Sequence, residues 1–126
     1  LIKKQMKVMM KTKDNGTAPN HLRRGYRVPV NVWETAEELS LEFLIPGYKK
    51  DQIEIAVDDG YLHVSASAEK REVKYLRQEY RKHPFEQKFK LPSRIDTESL
   101  EASLKNGILS LRIEKIKPKK IDIHIQ

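Results

Sequence analysis

The clearest alternation of apolar and polar residues in the chain runs from Leu100 to Ile113. Apolar side chains occupy every second position on both sides of Asn106-Gly107. Because successive side chains of a strand point to opposite faces, this period of two predicts strands with one buried and one exposed face. Asn and Gly both tolerate the positive φ of a tight type I′ turn, so the stretch predicts an antiparallel hairpin.

The same period of two recurs after Val28 and predicts further strands. The alternating runs are 28–32, 39–45, 53–57, 62–68 and 85–91. Turn-forming residues separate them, among them Pro46-Gly47 and Asp58-Asp59-Gly60. The paired aspartates could suggest acid chemistry, but Asp-Gly between two strands is a hairpin signal. We therefore predict an all-β domain built from antiparallel strands.

A long connection, residues 69–84, interrupts these runs. Hairpin loops usually have about 2–5 residues, and this charged segment is much longer. It carries a short β-like patch at Tyr75-Leu76-Arg77. A strand without a local partner can pair with the sheet edge of another subunit, and we favour that interpretation. The alternative is a mobile, charged loop.

The C-terminal segment carries Ile121, Ile123 and Ile125 at a spacing of two. In an extended chain all three side chains point the same way, so the segment should find a hydrophobic groove. If that groove lies on another subunit, the tail is an assembly latch, which we favour. If it lies on the same domain, the tail is only the last strand.

Residues 1–27 form a different kind of segment. Its apolar residues fall at i, i+4, i+7 and i+8, which predicts a short helix with one apolar stripe; they are Ile2, Met6, Met9 and Met10. Methionine is flexible and polarizable, so this stripe suits a surface that adapts to many apolar partners. The alternative is a helix that packs on its own domain or on a neighbour.

Composition locates the positive charge in the same segment. The 126 residues carry a net charge of +7, and residues 1–27 hold eight basic side chains against one acidic, so this arm accounts for the whole excess. A basic arm can touch phosphates or lipid headgroups. More often it is a solvated tail, and we expect no nucleic-acid partner.

Several kinds of chemistry have no support in the sequence. The absence of cysteine leaves no disulfide or thiolate site, as in a reducing compartment such as the cytoplasm. The five glycines are scattered, so no Gly-rich loop is present to bind ATP phosphates. The histidines lack metal-ligand spacing, and no apolar run approaches the roughly 18 residues of a membrane span. We expect no cofactor, no metal, no catalysis and no membrane span.

Taken in order, these motifs make the sequence similar to the small heat-shock proteins of bacterial or plant type, in the region called the α-crystallin domain. The segments that carry the resemblance are 28–32, 45–47, 58–64, 75–79, 85–92 and 102–109, and the terminal Ile-x-Ile. Together they cover about residues 28–125. The Ala102–Leu109 segment and the Ile-x-Ile motif are the most specific.

The resemblance implies an immunoglobulin-like β-sandwich over residues 28–114, with an arm before it and an extension over 115–126. It implies that the segment with Tyr75, Leu76, Arg77 and Glu79 crosses to a partner subunit and makes a dimer. It also implies that Ile121 and Ile123 dock on a neighbouring dimer, in a groove between strands 53–57 and 100–104. That groove would be lined by Ile53, Ile55, Val57, Leu100, Ala102 and Leu104.

The function that the resemblance implies is that of an ATP-independent holdase, which works as an oligomer of dimers and keeps unfolding proteins from aggregating. On that function we expect the apolar stripe of the arm to contact the clients, through Ile2, Met6, Met9 and Met10. The alternative is a monomeric co-chaperone or adaptor similar to the CS domains. Two features depart from the family pattern. Gln87 stands where the family usually has the Arg of its Phe-x-Arg motif, and the arm contains neither Phe nor Trp.

Overall fold

The structure is a computed structural model that describes residues 25–117 and 122–125, together with the backbone of residues 7–10. The described residues form eight strands: β1 (Lys7–Met10), β2 (Val30–Glu34), β3 (Glu38–Leu44), β4 (Ile53–Asp58), β5 (Tyr61–Ala66), β6 (Phe85–Lys90), β7 (Glu101–Lys105) and β8 (Ile108–Glu114). Two short 3-10 turns, Lys50–Gln52 and Thr97–Ser99, precede β4 and β7. Every strand predicted between residues 28 and 114 from a run of alternating apolar positions is present.

The strands form two four-stranded sheets. One has the order β1-β4-β5-β6 and the other has the order β2-β3-β8-β7. All neighbours are antiparallel except β1 and β4, which are parallel. This arrangement confirms the predicted all-β, immunoglobulin-like sandwich.

The core lies between the sheets and explains the alternation in the sequence. In β5, Leu62, Val64 and Ala66 are buried, whereas the residues between them are partly exposed. Leu41 of β3 is the register partner of Leu111 of β8, and both are fully buried. Burying one such side chain contributes about 1.5–3 kcal/mol, so the inward-facing positions supply most of the stabilisation.

Both predicted hairpin turns have the backbone that their sequences demand. Asn106 and Gly107 have φ of +53° and +76°, and Asp59 and Gly60 have φ of +51° and +80°. Positive φ at both central residues is the requirement of a type I′ turn, so Asp59 has a structural role in its hairpin.

The helix predicted for the amino-terminal arm is wrong where the structure describes it. Residues 7–10, which include Met9 and Met10, form strand β1 along β4. The physical reason is tertiary: the edge of β4 offers backbone partners to a short segment that could not sustain a helix alone. Ile2 and Met6 lie outside the described residues. Across the residues that are described, no helix reaches the length and hydropathy needed to cross a membrane.

Candidate assembly surfaces

The connection from β5 to β6, residues 67–84, is fixed at its start to the segment before β4. The backbone N–H of Ser67 donates to the carbonyl of Gln52 at 2.9 Å. The side-chain amide of Gln52, itself largely buried, donates to a carboxylate oxygen of Glu69 at 3.3 Å. The first residues of the connection are therefore held against the sandwich by Gln52.

The end of the connection is fixed to the same segment. The Tyr48 hydroxyl donates to the carbonyl oxygen of His83 at 2.6 Å. The backbone N–H of His83 in turn donates to the Tyr48 hydroxyl oxygen at 3.2 Å. Lys82 donates to the carbonyl of Gly47 at 2.8 Å, and the rings of Tyr26 and His83 stack with centroids 4.8 Å apart. Sequence reasoning missed these anchors, because no local pattern links residues so distant along the chain.

Burial also fixes the state of the Tyr48 hydroxyl. Desolvation raises the pKa of Tyr48 above its usual value, although the hydrogen bond to the His83 carbonyl opposes the shift. The neutral phenol is the form that can donate to a carbonyl. The anchor is therefore intact at neutral pH.

Between its two fixed ends the connection is exposed over residues 70–81, which we call the loop tip. Leu76 is 97% exposed and Tyr80 is 86% exposed. Arg77 and Glu79 form an exposed ion pair at 3.5 Å. The β-like patch at Tyr75-Leu76-Arg77 does not form a strand in this single chain. In the single chain the large side chains of Leu76 and Tyr80 are therefore in water.

β2 is an edge strand with little protection against pairing. Among the described strands it pairs only with β3. Val32 and Trp33 on it are 50% and 44% exposed. By contrast, the outward positions of β6, at the facing edge of the other sheet, are all exposed charged residues: Glu86, Lys88 and Lys90. Charged side chains discourage edge pairing, so β2 is the more receptive edge of the two.

An open groove lies between β2 and β6 and adjoins this edge. Its volume is about 640 Å³, and six of its nine lining residues are apolar. These are Val32, Leu39, Leu41, Phe89, Leu91 and Pro92, and the others are Glu34, Lys90 and Ser93. Phe43 and Phe89 meet edge to face above the core, with ring centroids 5.6 Å apart. The groove thus combines an apolar lining with an unpaired strand edge.

Gln87 is buried on the same side of the sandwich. Its Oε1 accepts the backbone N–H of Val28 at 2.6 Å and so joins the two sheets. Its Nε2 is buried without a hydrogen-bond partner among the described residues. The uncharged amide of Gln87 therefore ties the chain leading into β2 to β6.

The six residues predicted to line the latch groove lie in β4 and in or just before β7. Five of its six predicted residues are buried in the core, and only Leu104 is partly exposed; the buried five are Ile53, Ile55, Val57, Leu100 and Ala102. In this single chain they are the inward-facing positions of the two strands. Ile123 and Ile125 are 84% and 96% exposed, and Ile121 lies outside the described residues. Docking of the tail on these strands stays a prediction.

Comparison with known proteins identifies the family. The sequence profile of the Hsp20/alpha crystallin family matches residues 31–126. The chain is similar to the 22.0 kDa heat shock protein of Arabidopsis thaliana, with 39% identity over 93 residues, which is 70% of this chain and 48% of that protein. It is also similar to small heat shock protein C4 of Rickettsia felis, with 33% identity over 113 residues, which is 83% of this chain and 69% of that protein.

The fold agrees with that similarity. The crystal structure of a small heat-shock protein from Xylella fastidiosa superposes with a TM-score of 0.65 and 27% identity, covering 79% of this chain and 98% of that one. The chain spans about half the length of the Arabidopsis relative. The chain belongs to the Hsp20/alpha crystallin family.

Proposed function

We propose that this protein is an ATP-independent holdase that assembles from dimers and binds unfolding proteins. The observation that carries the proposal is membership of the Hsp20/alpha crystallin family over most of the chain. The exposed apolar side chains of the loop tip, β2 and the tail support it, because an unassembled chain would leave them in water. The lack of cysteine suits a reducing compartment such as the cytoplasm.

The dimer in this proposal forms by exchange of the loop tip. The tip of one chain, with Tyr75, Leu76 and Arg77 extended, adds to the open edge of β2 in a second chain. Six residues of an extended chain span about 20 Å, so half of the tip can reach well beyond its own domain. Because each chain has one tip and one β2 edge, the exchange is reciprocal and closes with two-fold symmetry.

The groove between β2 and β6 supports this arrangement. An extended segment on the β2 edge would place alternate side chains over the groove. Leu76, almost fully exposed in the single chain, is the residue that gains most from that apolar lining. Burying such a leucine contributes about 1.5–3 kcal/mol per chain, and the symmetric dimer contains the contact twice.

Larger assemblies would form through the tail. Ile123, together with Ile121 or Ile125, would dock at the edge formed by β4 and β7 of a neighbouring dimer. The exposure of Ile123 and Ile125 supports a partner outside this chain. Clients expose apolar surface in the same way, so the holdase competes with client self-association for that surface. The methionine-rich arm, with Met9 and Met10, is the segment proposed to adapt to them.

Light scattering of a heat-unfolding client, such as citrate synthase, tests the holdase proposal. The protein is added without nucleotide, and an equal mass of a heat-stable protein unrelated to the family serves as control. Scattering suppressed near an equimolar ratio of chains, with client recovered in a soluble complex, supports the proposal. Scattering that rises as it does with the control protein contradicts it.

A further inference from the structure

The amino-terminal strand β1 is the only parallel element among the described strands. Residues Lys7, Val8, Met9 and Met10 lie in register with Glu54, Ile55, Ala56 and Val57 of β4. β4 pairs with β5 along its other edge. Without β1, β4 would be an edge strand with unpaired backbone groups, which is a template for a further strand.

This edge is the one at which the tail is proposed to dock. β6 and β2 lie on one side of the sandwich, since Gln87 of β6 bonds to Val28 just before β2. The strand orders then place β1, with β4 beside it, and β7 on the opposite side. β1 therefore runs along the β4 half of the proposed latch site.

The two segments proposed to compete for this edge share a sequence pattern. Val8 and Met10 are spaced by two and have Ile55 and Val57 as register partners. The tail repeats that spacing with its three isoleucines, and each segment directly follows a lysine. In the structure β1 is paired, while residues 122–125 lie outside any strand.

We propose that residues 7–10 act as an internal occupant of the β4 edge and exclude the tail of a neighbouring subunit until they leave. A strand edge forms one backbone ladder at a time, so the two occupants are mutually exclusive. The arm is held near its site by the chain, which gives it a high effective concentration although it has only four paired residues. Assembly then depends on how often the arm leaves β4. The inference rests on the proposed docking of the tail.

The size of the effect follows from population arithmetic. The apparent dissociation constant of the tail equals its intrinsic value divided by the fraction of chains with an open edge. An edge open in one chain of ten weakens tail binding about tenfold, and one open in a hundred weakens it about a hundredfold. Fixing the arm on β4 should remove binding of the tail almost completely, and releasing the arm should restore the intrinsic affinity of the edge for the tail.

A reversible crosslink tests the proposal in the full chain. The sequence has no cysteine, so a K7C/E54C variant contains only the pair that the β1–β4 register brings together. Neighbouring strands lie about 4.8 Å apart, within the Cα separation that a disulfide spans. The matched control is K7C/E86C, because Glu86 is an exposed residue of β6 at the far edge of the same sheet. The probe is a fluorescent peptide with the sequence of residues 117–126.

The proposal predicts an intrachain disulfide in K7C/E54C, and none in K7C/E86C. Oxidation should weaken peptide binding to K7C/E54C at least tenfold, and reduction should restore it. A V8P/M9P variant, which removes ladder donors from β1, should bind the peptide more tightly than the unmodified protein. Circular dichroism checks that each variant keeps its sheet content.

Three results would overturn the proposal. One is a crosslink that joins only different chains. Another is peptide affinity that is equal in the oxidised and reduced forms, which leaves tail docking intact but removes the competition. The third is an absence of peptide binding in every form, including V8P/M9P, which removes the docking of the tail and the competition together.

Discussion

Replacing Gly107 by alanine should destabilise the domain more than the same change at Gly60. Both glycines are the second residue of a two-residue hairpin turn, with φ of +76° and +80°. An L-residue in this left-handed region costs about 1–2 kcal/mol, and that strain is nearly equal at the two positions. The difference between the variants therefore isolates the surroundings of each turn.

Those surroundings differ sharply. A Cβ on Gly107 would lie 3.0 Å from Cα of Pro46 and 3.2 Å from its Cβ, whereas a Cβ on Gly60 would meet nothing within 4 Å. Pro46 cannot retreat easily, because the N–H of the adjacent Ile45 donates to the Gly107 carbonyl at 2.7 Å. Overpacking of this kind costs about 1–3 kcal/mol. Gly107→Ala should thus cost about 2–5 kcal/mol, and Gly60→Ala about 1–2 kcal/mol.

Urea unfolding followed by circular dichroism measures both variants. All samples need the same protein concentration, because the proposed assembly would contribute to apparent stability. The reasoning predicts a midpoint for Gly107→Ala clearly below that of Gly60→Ala, with similar m-values. Equal losses in the two variants would refute it, since the contact with Pro46 would then have no energetic consequence.

Three further predictions concern buried polar groups and the tail. Gln87→Ala should lower stability by about 2–4 kcal/mol, because it leaves a cavity and an unpaired Val28 N–H. Gln87→Met also leaves that N–H unpaired but fills the space, so it should cost about 2 kcal/mol less in the same unfolding assay; equal losses would argue against the cavity. The pKa of Tyr48 is raised in the folded state, so the folded protein keeps the phenolic proton to a higher pH than the unfolded chain does. The contribution of the neutral phenol to folding stability is therefore complete below the pKa of the unfolded chain, and it is lost as the pH rises through the folded-state pKa. Ultraviolet titration should show one late tyrosine that is missing in Tyr48→Phe; an identical titration tail in both proteins would contradict the buried donor. Replacing Ile121 and Ile123 with alanine should reduce the assembly toward dimers in analytical ultracentrifugation, whereas an unchanged mass would contradict docking of the tail through Ile123. Comparing the single variants Ile121→Ala and Ile125→Ala distinguishes the two docking registers.

The sandwich could be predicted because its signals are local. Alternation along β3, β5 and β8 follows directly from one buried face, and Asn106-Gly107 requires the turn that it forms. These features depend on neighbours within a few residues. A single sequence contains that information in full.

The arm and the loop could not be predicted in the same way. The apolar positions of residues 2–10 fit a helical stripe, yet residues 7–10 form a strand because an open edge of β4 lies beside them. The end of the connection from β5 to β6 is held by the hydrogen bond between Tyr48 and His83, which are 35 residues apart. Such contacts are set by the folded sheets and leave no periodic signal in the sequence.

The predicted latch groove shows a related limit. Alternation marks Ile55 and Ala102 as apolar positions, but the same pattern describes a core residue and a groove residue. The structure shows both as core residues of a single chain.

The mass of the protein in solution tests the central claim most directly, namely that the loop tip and the β2 edge of one chain complete those of another. Light scattering coupled to size exclusion should give a multiple of a dimer for the unmodified protein. Leu76→Ser should shift the mass toward single chains, while Lys70→Ser, an exposed change in the same loop tip, should leave it unchanged. A single-chain mass for the unmodified protein, or an unchanged assembly in Leu76→Ser, would contradict the account.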